Sequence, residues 1–158
     1  MKDELFTYCD RLRPFLELRW REKHLTWEED IPDIPSAFMC RYTSIFLQQV
    51  LAIDKNISTI IVGGRPMKEL HGTPKGKYGF IDRNNCWYDH CWLETKNLII
   101  DLTADQFGDL PIIITPKGDR RYRANLDEFD PQLKYALIKL SSTSDRWLKI
   151  WRSMIQIN

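Results

Sequence analysis

The sequence predicts an α+β fold in which an antiparallel sheet is packed against helices. Apolar residues recur at three- and four-residue spacing in both terminal regions and again after residue 36, as they do on the buried face of a helix. The β-branched runs lie instead in the middle of the chain, between residues 57 and 115. This order of helices, strands and helices is typical of the α+β class, since alternating βα units would interleave the two patterns.

The composition is that of an ordinary globular protein. At 158 residues, 43% hydrophobic and 28% charged, the chain has the size of one domain, and we expect a single domain spanning residues 1–158. The net charge of +1 gives no reason to expect a nucleic-acid partner or an anionic membrane surface. The sequence does not indicate an oligomeric state.

Targeting signals are not evident in the chain. No apolar run reaches the ~18 residues needed to span a bilayer, and residues 1–5 lack the apolar core of a signal peptide. The four cysteines are irregularly spaced, so we expect reduced thiols rather than a disulfide framework. We therefore expect a cytoplasmic protein, although export by a dedicated secretion system would leave the same pattern.

The first elements along the chain are predicted to be two helical regions separated by a loop. Residues 3–24 have helical spacing that Pro14 interrupts, which allows one kinked helix or two short ones. Residues 27–35 are acidic and rich in proline, as in an extended loop. Ser36 is placed to cap the helix that follows over Ala37–Ile53.

A strand is predicted next, at residues 57–62, followed by a glycine- and proline-rich segment at 63–79 that we interpret as a mobile surface loop. A short strand is predicted at residues 78–82 and another at 112–115. Lys117–Arg123 is predicted to be an exposed basic turn.

The C-terminal region is predicted to hold two helices. Pro131 can open the first of them at its first position. Ser141–Ser144 is predicted to break this helix, and Ser144 or Asp145 then caps a last one.

The central feature is a predicted β-hairpin. Its arms are His90–Leu93 and Leu98–Leu102, with the polar turn Glu94–Asn97 between them. A turn centred between residues 95 and 96 places His90 opposite Asp101, and a turn one residue further on places them diagonally, still within reach. A carboxylate inside an apolar run costs several kcal/mol unless it is paired, and His90 is the nearest partner.

A nucleophile would complete a catalytic triad with this pair, and Cys40 is the clearest candidate. It falls in the first turn of the predicted helix, where the dipole favours a thiolate. A buried structural cysteine and a structural strand histidine are the competing interpretations. Cysteine at a helix start, a β-run, then histidine and aspartate on paired strands together favour the triad Cys40–His90–Asp101.

Several blocks of the sequence resemble the papain-like cysteine hydrolases, and within them the transglutaminase-like branch. Residues 37–47 resemble the nucleophile helix and residues 57–64 the strand that follows it. Residues 90–94, His-Cys-Trp-Leu-Glu, are similar to the His-Ala-Trp-Val-Glu block, and residues 100–103 to the aspartate block. The compact hairpin is also similar to that of B-type leader peptidases of lasso-peptide pathways, and the likeness spans roughly residues 36–107.

The sequence departs from the family pattern near the nucleophile. Met39 stands where a glycine often precedes the cysteine, and no glutamine or asparagine occurs before Cys40 to act as oxyanion donor. The indole N–H of Trp27 is the candidate donor that the resemblance suggests, and core or loop packing is its alternative role.

The resemblance implies a papain-like fold with the nucleophile at the N-terminus of a central helix, and a reaction on amide bonds of a peptide or protein. Hydrolysis, deamidation and acyl or amine transfer would share the triad and a thioester intermediate. No cofactor is implied. A non-catalytic protein-binding or scaffold domain on the same fold is the alternative, favoured by the missing upstream amide donor.

Other polar residues are secondary candidates. Gln106 and His71 are possible cleft-lining residues, although a turn is the favoured interpretation of Gln106 and a solvated loop that of His71. A metal site could be suggested by the proximity of Cys86, His90 and Cys91 in the sequence. No second pair of ligands supports it, so we expect no metal site. Cys91 follows His90 on the strand and is predicted to point to the opposite face, into the core.

Overall fold

A computed structural model describes residues 1–28, 30–66 and 76–156. Part of the segment predicted to be a mobile loop, residues 67–75, and with it His71, lies outside the described residues. The elements, in chain order, are α1 (Lys2–Leu25), α2 (Cys40–Lys55), β1 (Ile60–Gly64), β2 (Gly79–Ile81), β3 (Trp87–Tyr88), β4 (His90–Glu94), β5 (Leu98–Asp101), a 3₁₀ helix (Ala104–Phe107), β6 (Ile113–Pro116), β7 (Tyr122–Arg123), β8 (Leu126–Asp127) and α3 (Pro131–Gln156).

The strands form two antiparallel sheets, which confirms the predicted α+β class. The larger sheet has the order β6-β5-β4-β1-β8, and the smaller has the order β3-β2-β7. Every described strand pair is antiparallel. None of the helices in the described part of the chain is long and apolar enough to cross a membrane.

The five-stranded sheet lies between the helices and the small sheet. Ile61, Leu93 and Ile100 point from its central strands into the core that the helices form. Val62 and Trp92, which alternate with them along the strands, point to the opposite face, where they pack with residues of the small sheet. Both faces of β4 are therefore covered, and a side chain at its end can be buried on either face.

Two glycines let the two sheets approach each other closely. Gly64 ends β1 opposite His90, and an added Cβ there would lie 2.2 Å from the backbone nitrogen of Gly79. Gly79 itself has φ +98°, and a Cβ on it would lie 1.9 Å from the Tyr88 carbonyl oxygen. Side chains are thus excluded on steric grounds at the junction beside His90.

The N-terminal region is one continuous helix, the first of the two predicted alternatives. Pro14 lies inside α1 but is exposed, so the carbonyl that its missing N–H leaves free can face water. The buried side of α1 packs on α2, where the Trp20 indole N–H donates to Thr43 Oγ1 at 2.9 Å.

The second helix begins later than predicted, and Ser36 is not its cap. Cys40 is the first helical residue and Met39 occupies the N-cap position without a side-chain hydrogen bond. The Ser36 hydroxyl donates instead to Asp105 Oδ1 at 2.6 Å. A long-range partner has therefore displaced the local capping interaction that the sequence suggested.

The break predicted at Ser141–Ser144 is wrong, because α3 runs without interruption from Pro131 to Gln156. The Ser144 hydroxyl donates to the Tyr42 carbonyl of α2 at 2.9 Å. The Ser141 hydroxyl donates to a carbonyl one turn earlier in its own helix at 2.8 Å. These hydroxyls are satisfied without ending the helix, and small side chains allow α2 and α3 to pack closely.

Candidate active site

The hairpin has the second of the two predicted registers. Leu93 pairs with Ile100, so the turn is centred one residue beyond the first alternative and His90 lies diagonally from Asp101. Both side chains point to the same face of the sheet and are almost fully buried. The His90 Nε2–H donates to Asp101 Oδ2 at 2.7 Å. The carboxylate therefore fixes the orientation of the imidazole ring.

Three further hydrogen bonds hold the Asp101 carboxylate. The Thr103 backbone N–H and hydroxyl donate to Oδ1 at 2.9 and 3.2 Å, and the Tyr122 hydroxyl donates to Oδ2 at 2.8 Å. Burial alone would raise the pKa of this carboxyl, but His90 and the other donors outweigh it and keep the pKa below its usual range. Asp101 is therefore ionised at neutral pH.

His90 is held in the state that a thiolate requires beside it. Burial lowers the pKa of the imidazole, but Asp101 and the Cys40 thiol more than offset burial and raise the pKa to about 10. Because Nε2 is bonded to Asp101, Nδ1 is the nitrogen left to exchange a proton with Cys40. Nδ1 is buried, and among the described residues no group forms a hydrogen bond with it that meets the usual geometric limits.

Cys40 lies at the N-terminus of α2 and is partly exposed to the cleft. The thiol and backbone N–H of Cys91, the imidazole of His90 and the charge on that imidazole all favour the thiolate, and they outweigh the opposing effect of burial. The pKa of Cys40 is consequently well below that of an ordinary thiol. The helix dipole adds to this at the first helical position.

Cys91 has a place in the site that sequence reasoning missed. It is buried on the face of β4 opposite His90, as predicted, but this face lies against α2. Its Sγ is 3.6 Å from Ser44 Oγ, one turn after Cys40. Cys40 and burial both raise the pKa of Cys91 well above that of an ordinary thiol, so Cys91 stays protonated and can donate to the Cys40 thiolate.

Aromatic rings enclose the histidine. The His90 ring lies 5.0 Å from the Phe107 ring and 5.8 Å from the Phe80 ring, both edge-to-face, and 6.0 Å from Trp92. Water is excluded from most of the His90–Asp101 contact, and a low local dielectric strengthens a hydrogen bond between charged groups.

Tyr122 was also missed, because residues 117–123 were predicted to be an exposed turn. The last two residues of that segment instead form β7, which pairs with β2, and Tyr122 is buried. The presence of an aromatic residue, Tyr122, within a basic stretch was the one sequence signal that residues 117–123 are partly buried.

A cavity of about 530 Å³ opens beside Cys40. Both Trp27 and Gln106, the predicted oxyanion donor and cleft residue, line it. The Gln106 side chain donates to the Thr103 carbonyl at 2.9 Å and accepts from the Phe38 N–H at 3.3 Å. The full lining is Trp27, Phe38, Cys40, Arg41, Tyr42, Tyr88, Asp89, Gln106, Phe107 and Leu140.

The two cysteines near His90 in the sequence lie in different surroundings. Cys86 is exposed in the turn before β3, whereas Cys91 is buried under α2. Within the ranges that the structure describes, no three histidine, cysteine or acidic side chains converge in a way that could hold a metal ion.

The structure brings Cys40, His90 and Asp101 together. Trp27 and Gln106 line the cavity that Cys40 also borders. Comparison of the chain with protein-family models, with curated proteins and with solved structures gave no match. A functional assignment therefore depends on the geometry of the site and on the sequence resemblance.

Proposed function

We propose that the protein is a cysteine hydrolase with a papain-like, transglutaminase-like fold, acting on amide bonds of a peptide or protein. The observation that carries this proposal is the buried 2.7 Å hydrogen bond between His90 and Asp101 beside a thiol at a helix start. A helix packed on an antiparallel sheet, with the nucleophile at its first residue, supports the fold assignment.

Acylation follows from the charge states of the site. The Cys40 sulfur attacks the amide carbonyl carbon, and the carbonyl π electrons move to oxygen to give a tetrahedral intermediate. The His90 Nδ1–H then protonates the leaving nitrogen, the C–N bond breaks, and a thioester to Cys40 remains. Asp101 keeps the imidazole oriented for this transfer.

Deacylation returns the site to its starting state. Water attacks the thioester carbonyl carbon while neutral His90 accepts its proton at Nδ1. The C–S bond then breaks, which releases the acid and restores the thiolate–imidazolium pair. An amine in place of water would give transfer by the same steps, and a glutamine side-chain amide as substrate would give deamidation with release of ammonia.

The oxyanion needs donors at the mouth of the cavity. The Cys40 backbone N–H is the first of α2 and has no partner within the helix. The indole N–H of Trp27, which lines the same cavity, is the proposed second donor. It would take the place of the amide side chain that the sequence lacks before Cys40.

The first test is iodoacetamide labelling across pH with mass-spectrometric assignment of each cysteine. Cys40 should label rapidly at pH 6, where an ordinary thiol is almost entirely protonated. The exposed Cys86 provides an internal reference for an ordinary surface position. His90→Ala and Asp101→Asn should each slow Cys40 labelling at pH 6, with a loss of about tenfold for each unit by which the pKa of Cys40 then exceeds 6.

If Cys40 labels at the same rate as Cys86 at every pH, or if His90→Ala leaves the labelling rate of Cys40 unchanged, catalysis is contradicted and the scaffold alternative is favoured. If the thiol is activated, a panel of peptide amides distinguishes the reactions. New amine termini indicate peptide cleavage, ammonia release indicates deamidation, and incorporation of a labelled amine indicates transfer. Cys40→Ser is the inactive control for each.

A further inference from the structure

Two pairs of aromatic residues line the cavity beside Cys40. The first aromatic wall consists of Trp27 and Phe38, whose ring centroids are 6.2 Å apart. The second consists of Tyr88 and Phe107, which stack at 4.7 Å with an interplanar angle of 19°. Both walls border the cavity that Cys40 also lines.

Phe38 is held in a conformation that is unfavourable for folding in two respects. Its φ is +63°, in the left-handed region that aromatic residues rarely adopt. Its side chain is also 72% exposed, although burial of an aromatic ring would stabilise the fold. The hydrogen bond from its N–H to Gln106 helps to hold this conformation. Backbone strain of this kind is concentrated at ligand-binding sites.

The second aromatic wall connects directly to the catalytic base. Phe107 contacts Tyr88 on one side and His90, edge-to-face at 5.0 Å, on the other. Tyr88 is 39% exposed, so one ring of this pair remains available to a ligand. A group that packs on the second wall would therefore lie next to the atoms that react.

The charged residues of the cavity lining are Arg41 and Asp89, and aromatic residues make up the largest part of it. Asp89 forms an ion pair with Arg65 at 2.9 Å, and both side chains are about half exposed. The remaining lining is mostly aromatic and aliphatic. Pockets of a few hundred Å³ with such linings bind apolar groups of small-molecule size.

We infer that the cavity binds an aromatic side chain of the substrate peptide, placed against these aromatic walls next to the amide that reacts with Cys40. The inference rests on the proposed function for the reaction. The exposed rings of Phe38 and Tyr88 are the evidence for an aromatic side chain in the substrate. Planar rings can stack or meet edge-to-face with these walls, whereas a charged side chain would lose hydration in a cavity whose lining is mostly aromatic and aliphatic.

The test compares two alkylating reagents of equal chemistry, N-phenethyl-iodoacetamide and N-methyl-iodoacetamide, on the full chain. We expect Cys40 to favour the phenethyl reagent by about tenfold or more, the effect of burying one aromatic group. Free N-acetylcysteine supplies the ratio in the absence of a pocket, because the exposed Cys86 lies beside Tyr88 of the second wall. An excess of the capped peptide Ac-Ala-Phe-Ala-NH₂ should slow Cys40 labelling more than Ac-Ala-Glu-Ala-NH₂ does.

Phe38→Ala and Tyr88→Ala should each lower the phenethyl-to-methyl ratio at Cys40 severalfold. Phe129→Ala is the matched control, because Phe129 is 71% exposed but does not line the cavity, and it should leave the ratio unchanged. A Cys40 ratio equal to that of N-acetylcysteine, or an equal loss in all three variants, overturns the aromatic assignment.

The two proposals fail in different ways. Slow labelling of Cys40 by the methyl reagent at pH 6 would contradict the triad, whereas the ratio of the two reagents still reports on the cavity. A fast but unselective Cys40 would keep the catalytic proposal and reject the aromatic substrate class.

Discussion

The Asp101 carboxylate shows how single residues set the properties of the site. Four hydrogen bonds from His90, Tyr122 and Thr103 converge on its two oxygens. An ionised carboxylate with its acceptors satisfied can remain buried, and it then keeps the imidazolium of His90 stable. Tyr122 and Thr103 therefore support the proposed reactivity of Cys40 without touching the thiol.

Cys91 is the residue whose contribution to the thiolate can be measured most directly. Cys40 has a pKa below that of an ordinary thiol, so its thiolate is lost as the pH falls through that pKa. Cys91→Ala removes the leading cause of the shift, and the labelling midpoint of Cys40 should move to higher pH. At pH 6 we expect a loss of up to about tenfold in labelling rate, with little change above pH 9.

Cys9→Ala is the control for this prediction, since Cys9 is equally buried but packs in the core around α1. An unchanged midpoint for Cys40 in Cys91→Ala would show that Cys91 serves only as core packing.

At the level of elements, α3 illustrates how packing overrides a local signal. The run Ser141–Ser144 has low helix propensity, yet Thr143 and Ser144 are buried where α3 meets the other helices. Small side chains at this point let α3 approach α2, and the Ser144 hydroxyl finds its acceptor on α2. Thr143 and Ser144 therefore belong to the helix interface.

We expect Ser144→Leu to destabilise the protein by about 1–3 kcal/mol, because a larger side chain at a fully buried position forces the helices apart. The measurement is the free energy of unfolding from urea denaturation. Ser142→Leu, two residues earlier on the exposed side of α3, should change it by less than about 0.5 kcal/mol. Equal effects of the two substitutions would contradict the interface role.

At the level of the whole molecule, Arg13 connects the N-terminal helix to the site. Its guanidinium donates to the carbonyls of Leu102 and Pro111 at 2.5 and 2.8 Å and forms an ion pair with Asp105. Asp105 in turn accepts from Ser36. One nearly buried side chain thus joins α1 to the 3₁₀ helix that carries the cavity residues Gln106 and Phe107.

Arg13→Ala should lower the free energy of unfolding by about 3 kcal/mol, since it leaves carbonyls and a partly buried carboxylate without their donor. Glu17 is the other ionic partner of Arg13, and the Glu17 side chain is 43% exposed. Glu17→Ala should therefore lower the free energy of unfolding by less than about 0.5 kcal/mol. Denaturation of both variants under the same conditions decides the point. A loss below about 1 kcal/mol in Arg13→Ala would show that the connection is dispensable.

The sequence by itself determined the features that depend on short-range patterns. Helical spacing located α1 and α2, the β-branched runs located the sheet, and the polar turn located the hairpin. Asp101 lies within an apolar run, where a buried carboxylate needs a partner, and this predicted its pairing with His90. These signals are readable because each depends on residues within one or two turns or across one tight hairpin.

Only the tertiary structure decided which distant groups meet. Ser36 binds Asp105 instead of capping α2, and Ser144 of α3 donates to a carbonyl of α2 instead of ending the helix. Tyr122 reaches Asp101 from the second sheet, and Cys91 meets α2 because the helix lies over that face of β4. A hydroxyl or thiol has many possible partners of similar energy, and the packing of the chain selects one of them.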